Sequence, residues 1–505
     1  MRISSFRHFS SRVRGTHDHY SDDEPIREAI RSIFVSTVRS HGYVRVETPV
    51  LEHASLFSRT LGDASDVVSK EMYSFSSPKS NIGGINDNDS DSLLCLRPEG
   101  TAGIMRSLIS SGRLKRSLHP YSQRYYYDGP MFRHERPQKG RFREFSQLGV
   151  ELIGGKSSQS DCEAIALANS FLSSLLFVDS KPSSNLKSNV TLNLCINTIG
   201  DDEGRKKYSI ALRSYLNEHR ERLSLESQSR LERGRHEQDA PVFRILDSKS
   251  TADQEILSNS ETPRLEDYLS DQSRRRFEDV LYNIHELGIN PTIDPRLVRG
   301  LDYYSDTVFE FVVGSSSSDG SGHLGTVLAG GRYDRLSKIL GNSDPVPSIG
   351  WAAGLERLSI LLSSPNLHDS SGLAAKLKEK QGPMRIAILS ILPQNGQNKS
   401  VEATGLRLSM LLPSLLHQQQ GGRREAGVNF TVIRLEPDTK LSKLLSSAAA
   451  AKADVALILG ETELERGLIS VKNLATAAQE SLLLPWLDSS SSLVNKLINQ
   501  TTNIT

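Results

Sequence analysis

Three cysteines in 505 residues (Cys95, Cys162, Cys195) are too few, too scattered and odd in number for a disulfide framework or a CxxC metal site. That usage points to a reducing compartment. No stretch approaches 18 consecutive apolar residues, so neither a membrane-spanning helix nor a membrane partner is expected. Neither sign of charge dominates. Lys+Arg total 61 against 60 for Asp+Glu, a net of +1, which argues against holding a polyanion by bulk charge. GxxxxGK[ST] and a strand-borne GxGxxG are both missing, so a P-loop or Rossmann nucleotide site is not expected. The 13 histidines form no HExxH or ligand-spaced cluster, so no catalytic zinc is expected. No repeat of solenoid period is found.

What is present is a globular composition, 37% hydrophobic and 24% charged, with a length that suits three to four domains. The first residues stand apart. MRISSFRHFSSRVRGT carries Arg2, Arg7, Arg12 and Arg14 and four serines, with no acid before Asp18. Arg-rich, Ser-rich and acid-poor is the composition of an organelle transit peptide, assigned here to residues 1–13. Targeting is favoured over a basic N-terminus of no consequence. The expected destination is the mitochondrial matrix, with plastid or dual import left open.

Apolar residues at helical spacing (Ile26, Ile30, Ile33, Phe34, Val38) predict a helix from about Pro25 to His41, with acceptors at 21–24 to cap it and Gly42 to stop it. Tyr43–Val50 reads as a strand. Residues 77–92 are a polar loop between strands, and Ser315–Gly322 a flexible hairpin tip. The charged, helical 205–290 stretch looks like an insertion between two halves of a core domain, 14–204 and 291–365. Residues 366–383 read as a linker. Beyond it, strand-like 384–392, 428–435 and 454–460 alternate with helix-like 399–419 and 440–452. This predicts an α/β domain with a parallel or mixed sheet over 384–505. Pro413 is expected to kink or shorten the first of these helices.

The densest chemical signal is 113–143. Nine basic side chains face two acidic ones there, a net of +7 over 31 residues. Aromatic residues are interleaved: Tyr125, Tyr126, Tyr127, Phe132, Phe142 and Phe145. Guanidinium forks hold phosphates and aromatic planes stack on bases, so a polyanion site is expected here.

Within that run, FRHERPQKGRFREF (132–145) resembles motif 2 of the class II aminoacyl-tRNA synthetases. YVRVETP (43–49) resembles their motif 1 and GWAAGLERL (350–358) their motif 3. RPEGT (97–101) and LVRGLDYY (297–304) are similar to the two signature segments of the histidyl-tRNA synthetases, and AGGRYD (329–334) and LGETE (459–463) fit the same family. The resemblance runs from Arg14 to beyond Asn473.

The resemblance implies an α+β fold. An antiparallel sheet flanked by helices forms the catalytic core, interrupted by a helical insertion and followed by a C-terminal α/β anticodon-binding domain. It implies a homodimer whose substrates are L-histidine, ATP with Mg²⁺ and tRNA(His), with no zinc and no organic cofactor. It also implies roles. Glu99, Thr101 and Gln147 suit the ammonium of histidine, in a pocket that includes Gly100. Glu151 and Tyr304 are the imidazole readers, and Tyr303 lines the same pocket. Arg133 and Arg299 meet the α-phosphate and the carboxylate from opposite sides as the catalytic pair. Arg141 and Arg357 hold the β- and γ-phosphates, while Glu135 and Phe145 face adenine. A pocket built on hydrogen bonds discriminates strongly, because a mismatched ligand leaves buried polar groups unpaired. No general base for the transfer step is assigned, with Gln147 or a phosphate oxygen left open.

Two departures from the family pattern stand out. A proline usual after RGTHD is replaced by the Ser21-Asp22 region, and Arg335 stands where glycine is common. The alternative reading is a non-catalytic, synthetase-like regulatory subunit of ATP phosphoribosyltransferase. The presence of Arg133, Arg141, Arg299 and Arg357 and of about 120 residues past the linker favours the enzyme.

Overall fold

The computed structural model describes residues 12–20, 24–62, 65, 67–76, 93–114, 122–136, 140–176, 190–233, 240–246, 248–298, 303–315, 325–363, 384–394, 398–419, 430–435, 437–485 and 492–502. The expected loop at 77–92, most of the 315–322 tip, the 366–383 junction, the caps at 21–23 and Arg299 lie outside them. The chain divides into two compact units, Met1–Lys376 and Leu377–Thr505.

The first unit is built on eleven strands: β1 (Val44–Arg45), β2 (Leu51–His53), β3 (Ser74–Ser76), β4 (Leu93–Leu96), β5 (Gln123–Phe132), β6 (Glu144–Ile153), β7 (Val190–Thr198), β8 (Thr292–Ile293), β9 (Ser305–Ser315), β10 (Gly325–Arg332) and β11 (Ser348–Gly354). Eight of them form one sheet in the order β1-β5-β6-β11-β10-β9-β7-β8. Its pairings are antiparallel except at the two ends, where β1 runs parallel to β5 and β8 to β7. The expected strand at Tyr43–Val50 is only two residues long, Val44–Arg45, with one further bond to β5 from the Val46 N–H to the Tyr126 carbonyl at 2.9 Å.

Alternation along the strands separates two cores. Leu148, Val150 and Leu152 of β6 and Tyr126 of β5 face a core covered by the helices Glu24–Ser40, Ser158–Leu176 and Leu355–Leu362. In the first of these, Ile30, Phe34 and Val38 are fully buried, as their spacing predicts. Tyr125 and Tyr127 point the other way, into a second core with Tyr303, Tyr304, Tyr333 and the helices Ala54–Leu61 and Thr101–Ser110. That second face carries the cavity.

Between β7 and β8 the chain forms helices that include Asp202–Glu218, Leu225–Arg233, Thr251–Leu257 and Asp271–Glu286. They enclose a small core of their own around Tyr208, Leu212, Leu216, Ile245 and Ile256. Arg276, on the last of these helices, fastens the region to a buried ion pair at the sheet. Arg332 and Asp161, both fully buried, meet at 2.7 Å. Arg332 also donates to the carbonyl of Gly155, and Asp161 accepts from Thr307 and Arg276. A buried ion pair saturated in this way rigidifies its surroundings, here the residue next to Tyr333.

The second unit holds β12 (Met384–Ser390), β13 (Phe430–Arg434), β14 (Val455–Leu459), β15 (Leu468–Asn473) and β16 (Gln479–Leu483) in the order β13-β12-β14-β15-β16. The sheet is mixed, parallel across β13-β12-β14 and antiparallel beyond. The helix Lys399–Gln419 continues past Pro413 instead of being shortened by it. One lost backbone hydrogen bond is outweighed by burial of Val401, Leu408 and Leu412 against the sheet.

Candidate active site

Strands β5 and β6 pair so that Tyr127 faces Gly149 and Tyr125 faces Glu151. Period-two geometry puts Phe145, Gln147, Gly149 and Glu151 on one face of β6. β11 flanks β6 on its other side, opposing Gly354 to Gln147 and Gly350 to Glu151. Above this floor lies a cavity of about 740 Å³ lined by Glu99, Thr101, Arg133, Glu135, Arg141, Phe145, Gln147, Tyr303, Tyr304 and Arg357. Ten of the expected site residues therefore meet in one place. Gly100 and Glu151 lie next to it, in contact with its lining residues.

At one end the cavity is rich in carboxyl and phenol groups. Glu99 caps the helix Thr101–Ser110, accepting from the backbone N–H groups of Thr101 at 2.6 Å and Ala102 at 2.9 Å. Burial raises its pKa against those two hydrogen bonds. Glu151, 1% exposed, accepts a hydrogen bond from the Thr101 hydroxyl at 2.6 Å and another from Tyr333. Burial pushes its carboxyl up to about 8, with the nearby Glu99 charge adding and the two hydrogen bonds opposing. Gly350 is required beside it, since a Cβ there would fall 1.9 Å from a Glu151 carboxylate oxygen. Tyr303 packs against Tyr304 with ring centroids 4.9 Å apart, and the Tyr304 carbonyl accepts from Arg205 of the helical region at 2.7 Å.

At the other end three arginines converge. Arg133 donates to the Pro98 carbonyl at 2.9 Å, and its guanidinium lies 5.4 Å over the Phe145 ring. Arg357 donates to the carbonyls of Gly140 and Thr326, at 3.3 and 2.5 Å. Burial lowers the Arg357 pKa, and the neighbouring charges of Arg141 and Arg133 lower it further. Crowded, partly desolvated cations of this kind are stabilised by an arriving anion. Glu135, expected at adenine, stands 3.8 Å from Arg133 and 3.5 Å from Arg141, and the ring of Phe145 is occupied by Arg133.

The basic, aromatic run 113–143 is not one phosphate-facing surface. Arg124 is spent on Glu163, at 2.6 and 2.8 Å. Tyr125, Tyr126 and Tyr127 are buried, so none offers an exposed face for a base to stack on. The run mixes two strand faces, and composition alone does not separate them.

Several residues of the site had no role in the sequence reading. Tyr127 stood only among the aromatics of the basic run, and Tyr333 only within the AGGRYD string, neither with a role of its own. Glu356 accepts from the Ser146 backbone N–H at 3.0 and 3.1 Å and from Arg27 at 3.1 Å, tying the Leu355–Leu362 helix to β6. Near the N-terminus, the Gly15 carbonyl accepts from the Arg143 N–H at 2.7 Å, and the His17 ring meets Phe142 edge-on at 4.2 Å. Phe142 lines the cavity. Among the described residues no cluster of three or more metal-ligating side chains exists, and no helix is long and apolar enough to cross a membrane.

A sequence profile described as histidyl-tRNA synthetase matches residues 15–358. A histidine–tRNA ligase of Rhodospirillum rubrum is 38% identical over 476 residues, covering 94% of this chain and 97% of that protein. One from Gluconobacter oxydans is 36% identical over 472 residues, covering 93% and 95%. The fold is similar to the apo histidyl-tRNA synthetase of S. aureus, with a TM-score of 0.65 and 26% identity over 94% of this chain and 98% of that one.

Proposed function

The chain belongs to the histidyl-tRNA synthetase family, and from that membership we propose how its own residues carry out the reaction. The enzyme activates L-histidine with ATP and transfers the histidyl group to the 3′ end of tRNA(His). The observation that carries this is one cavity with a carboxyl and phenol end beside an arginine end. An amino acid with two polar edges fits the first and a triphosphate the second.

In the first step a histidine carboxylate oxygen forms a bond to the α-phosphorus of ATP while the bond to pyrophosphate breaks. The protein aligns two anions and neutralises the charge that builds between them. Arg133 and Arg299 take the α-phosphate and carboxylate, Arg141 and Arg357 the outer phosphates, with Mg²⁺ arriving on the nucleotide. Glu135 and Phe145 turn to adenine when ATP displaces their present arginine partners. Glu99, Thr101 and Gln147 hold the ammonium, and Glu151 and Tyr304 read the imidazole, with Tyr303 beside them. In the second step the terminal ribose hydroxyl of tRNA attacks the adenylate carbonyl and AMP leaves.

Three finer assignments go with this. The active form is a homodimer, supported by exposed Val44, Leu51, Phe75 and Leu93 on β1 to β4. Residues 384–505 are the anticodon-binding domain. Residues 1–13 are an import signal for mitochondria. The contacts of Gly15 and His17 with the 142–143 segment favour a cut upstream of them.

Charging of tRNA tests the whole reading. Purified enzyme is incubated with unfractionated tRNA, ATP and one labelled amino acid at a time. Acid-precipitable label with histidine alone is expected, and label with another amino acid, or none, contradicts it. Arg299→Ala should abolish charging while leaving the thermal melt unchanged.

A further inference from the structure

Tyr127 is 5% exposed, and its hydroxyl finds no partner at full hydrogen-bond geometry, engaging the Thr101 hydroxyl only weakly. The Thr101 hydroxyl, on a residue lining the same cavity, is committed to Glu151. A buried phenol without a full partner costs folding free energy, so its retention asks for a ligand. Its position is enforced. A Cβ on Gly149 would fall 2.3 Å from the ring and 2.5 Å from the hydroxyl oxygen, and one on Gly100 would fall 2.6 Å from the ring. Two glycines thus leave a slot that the phenol fills, with the hydroxyl over Gly149. On the same face of β6, Gln147 stands two residues to one side and Glu151 two residues to the other. The Gln147 carbonyl oxygen is likewise buried with no partner, whereas both Glu151 oxygens are engaged. Two unpartnered oxygens therefore border one cavity that Glu99 also lines. They call for a donor-rich cation, with the phenol's own proton turned to the Thr101 hydroxyl oxygen.

We propose that the Tyr127 hydroxyl is a further specificity determinant of the amino-acid pocket, accepting a hydrogen bond from the substrate α-ammonium beside Gln147 and Glu99. The ammonium brings three N–H donors, which Tyr127, Gln147 and Glu99 share with the Thr101 oxygen. The inference rests on the synthetase reading and adds a residue to its pocket.

Tyr127→Phe removes the oxygen and keeps the ring that fills the slot. Calorimetric titration without ATP compares L-histidine with 3-(imidazol-4-yl)propionate, which lacks the amine. Loss of one hydrogen bond to a charged group should weaken L-histidine by roughly ten- to hundredfold and leave the deamino compound unchanged. The melting temperature should not fall appreciably, since only the weak contact with Thr101 is lost. In pyrophosphate exchange the KM for histidine should rise while that for ATP holds. Unchanged affinity for L-histidine, equal weakening of both ligands, or an appreciably lowered melting temperature would each overturn the proposal. Wild-type protein that bound neither compound would instead bring down the synthetase reading itself.

Discussion

The Thr101 hydroxyl donates to the Glu151 carboxylate at 2.6 Å, joining the first turn of a helix to the middle of β6 across fifty positions of chain. Tyr333 closes the other side of the same carboxylate. Glu151 is thereby fixed before any substrate arrives, in a place that favours its neutral form.

This has a pH consequence with a definite sign. The folded-state pKa of Glu151, about 8, lies above its unfolded value of 4.5. The folded protein then binds more protons than the unfolded chain between those values, and stability falls as pH rises through that window. Melting of the free enzyme should drop from pH 5 to pH 8. In Glu151→Gln that drop should be smaller, because one of the groups driving it is gone. Differential scanning across pH checks this, and an identical slope in the variant contradicts it.

Arg357 sits where burial and two neighbouring arginines oppose its charge, and a phosphate bound there is expected to relieve that tension. ATP should therefore raise the melting temperature of the wild type by mass action. Arg357→Ala should lose most of that ligand-induced rise and at least a hundredfold in kcat/KM for ATP, about 2.7 kcal/mol. The KM for histidine should move much less. Exchange kinetics with each substrate varied in turn read both quantities.

Gly350→Ala should be severe. The new methyl group would lie 1.9 Å from Glu151 and 2.4 Å from the Val150 carbonyl. The second contact is backbone, so β6 and β11 must separate locally, at about 1–3 kcal/mol or more. Truncating Glu151 as well should not restore stability. Chemical denaturation of the single and double variants decides it, and full recovery in the double variant would refute the backbone clash.

The N-terminal turn should matter to ATP rather than to histidine. Removing residues 2–11 leaves the Gly15–Arg143 bond and the His17–Phe142 contact in place, and activity should persist. Removing residues 2–17 takes both away and should raise the KM for ATP several-fold with little change for histidine. A shortened chain with wild-type ATP kinetics would show the turn to be dispensable.

Much of this fold was legible because its signals are local or motif-borne. The Glu24–Ser40 helix follows from apolar spacing, and the second unit from strand–helix alternation. Ten of the assigned site residues line one cavity because their strings supplied them together. What could not be read was the facing of side chains. The described part of the +7 run from 113 to 143 divides between a cavity, a core and an ion pair with Glu163, because β5 sends alternate residues to opposite faces. Tyr127 and Tyr333 were silent for a related reason. A tyrosine in a strand is ordinarily packing, and only the pairing of β5 with Gly149, or the hydrogen bond to Glu151, shows otherwise. Pro413 does not shorten its helix, because helix rules weigh one hydrogen bond whereas the folded unit weighs a buried face.

The central claim is that one cavity joins histidine to ATP. The most direct measurement is ATP–pyrophosphate exchange with each of the twenty amino acids supplied singly. Exchange that depends on histidine and on no other is the predicted result, and exchange with none, or with a different amino acid, would contradict it.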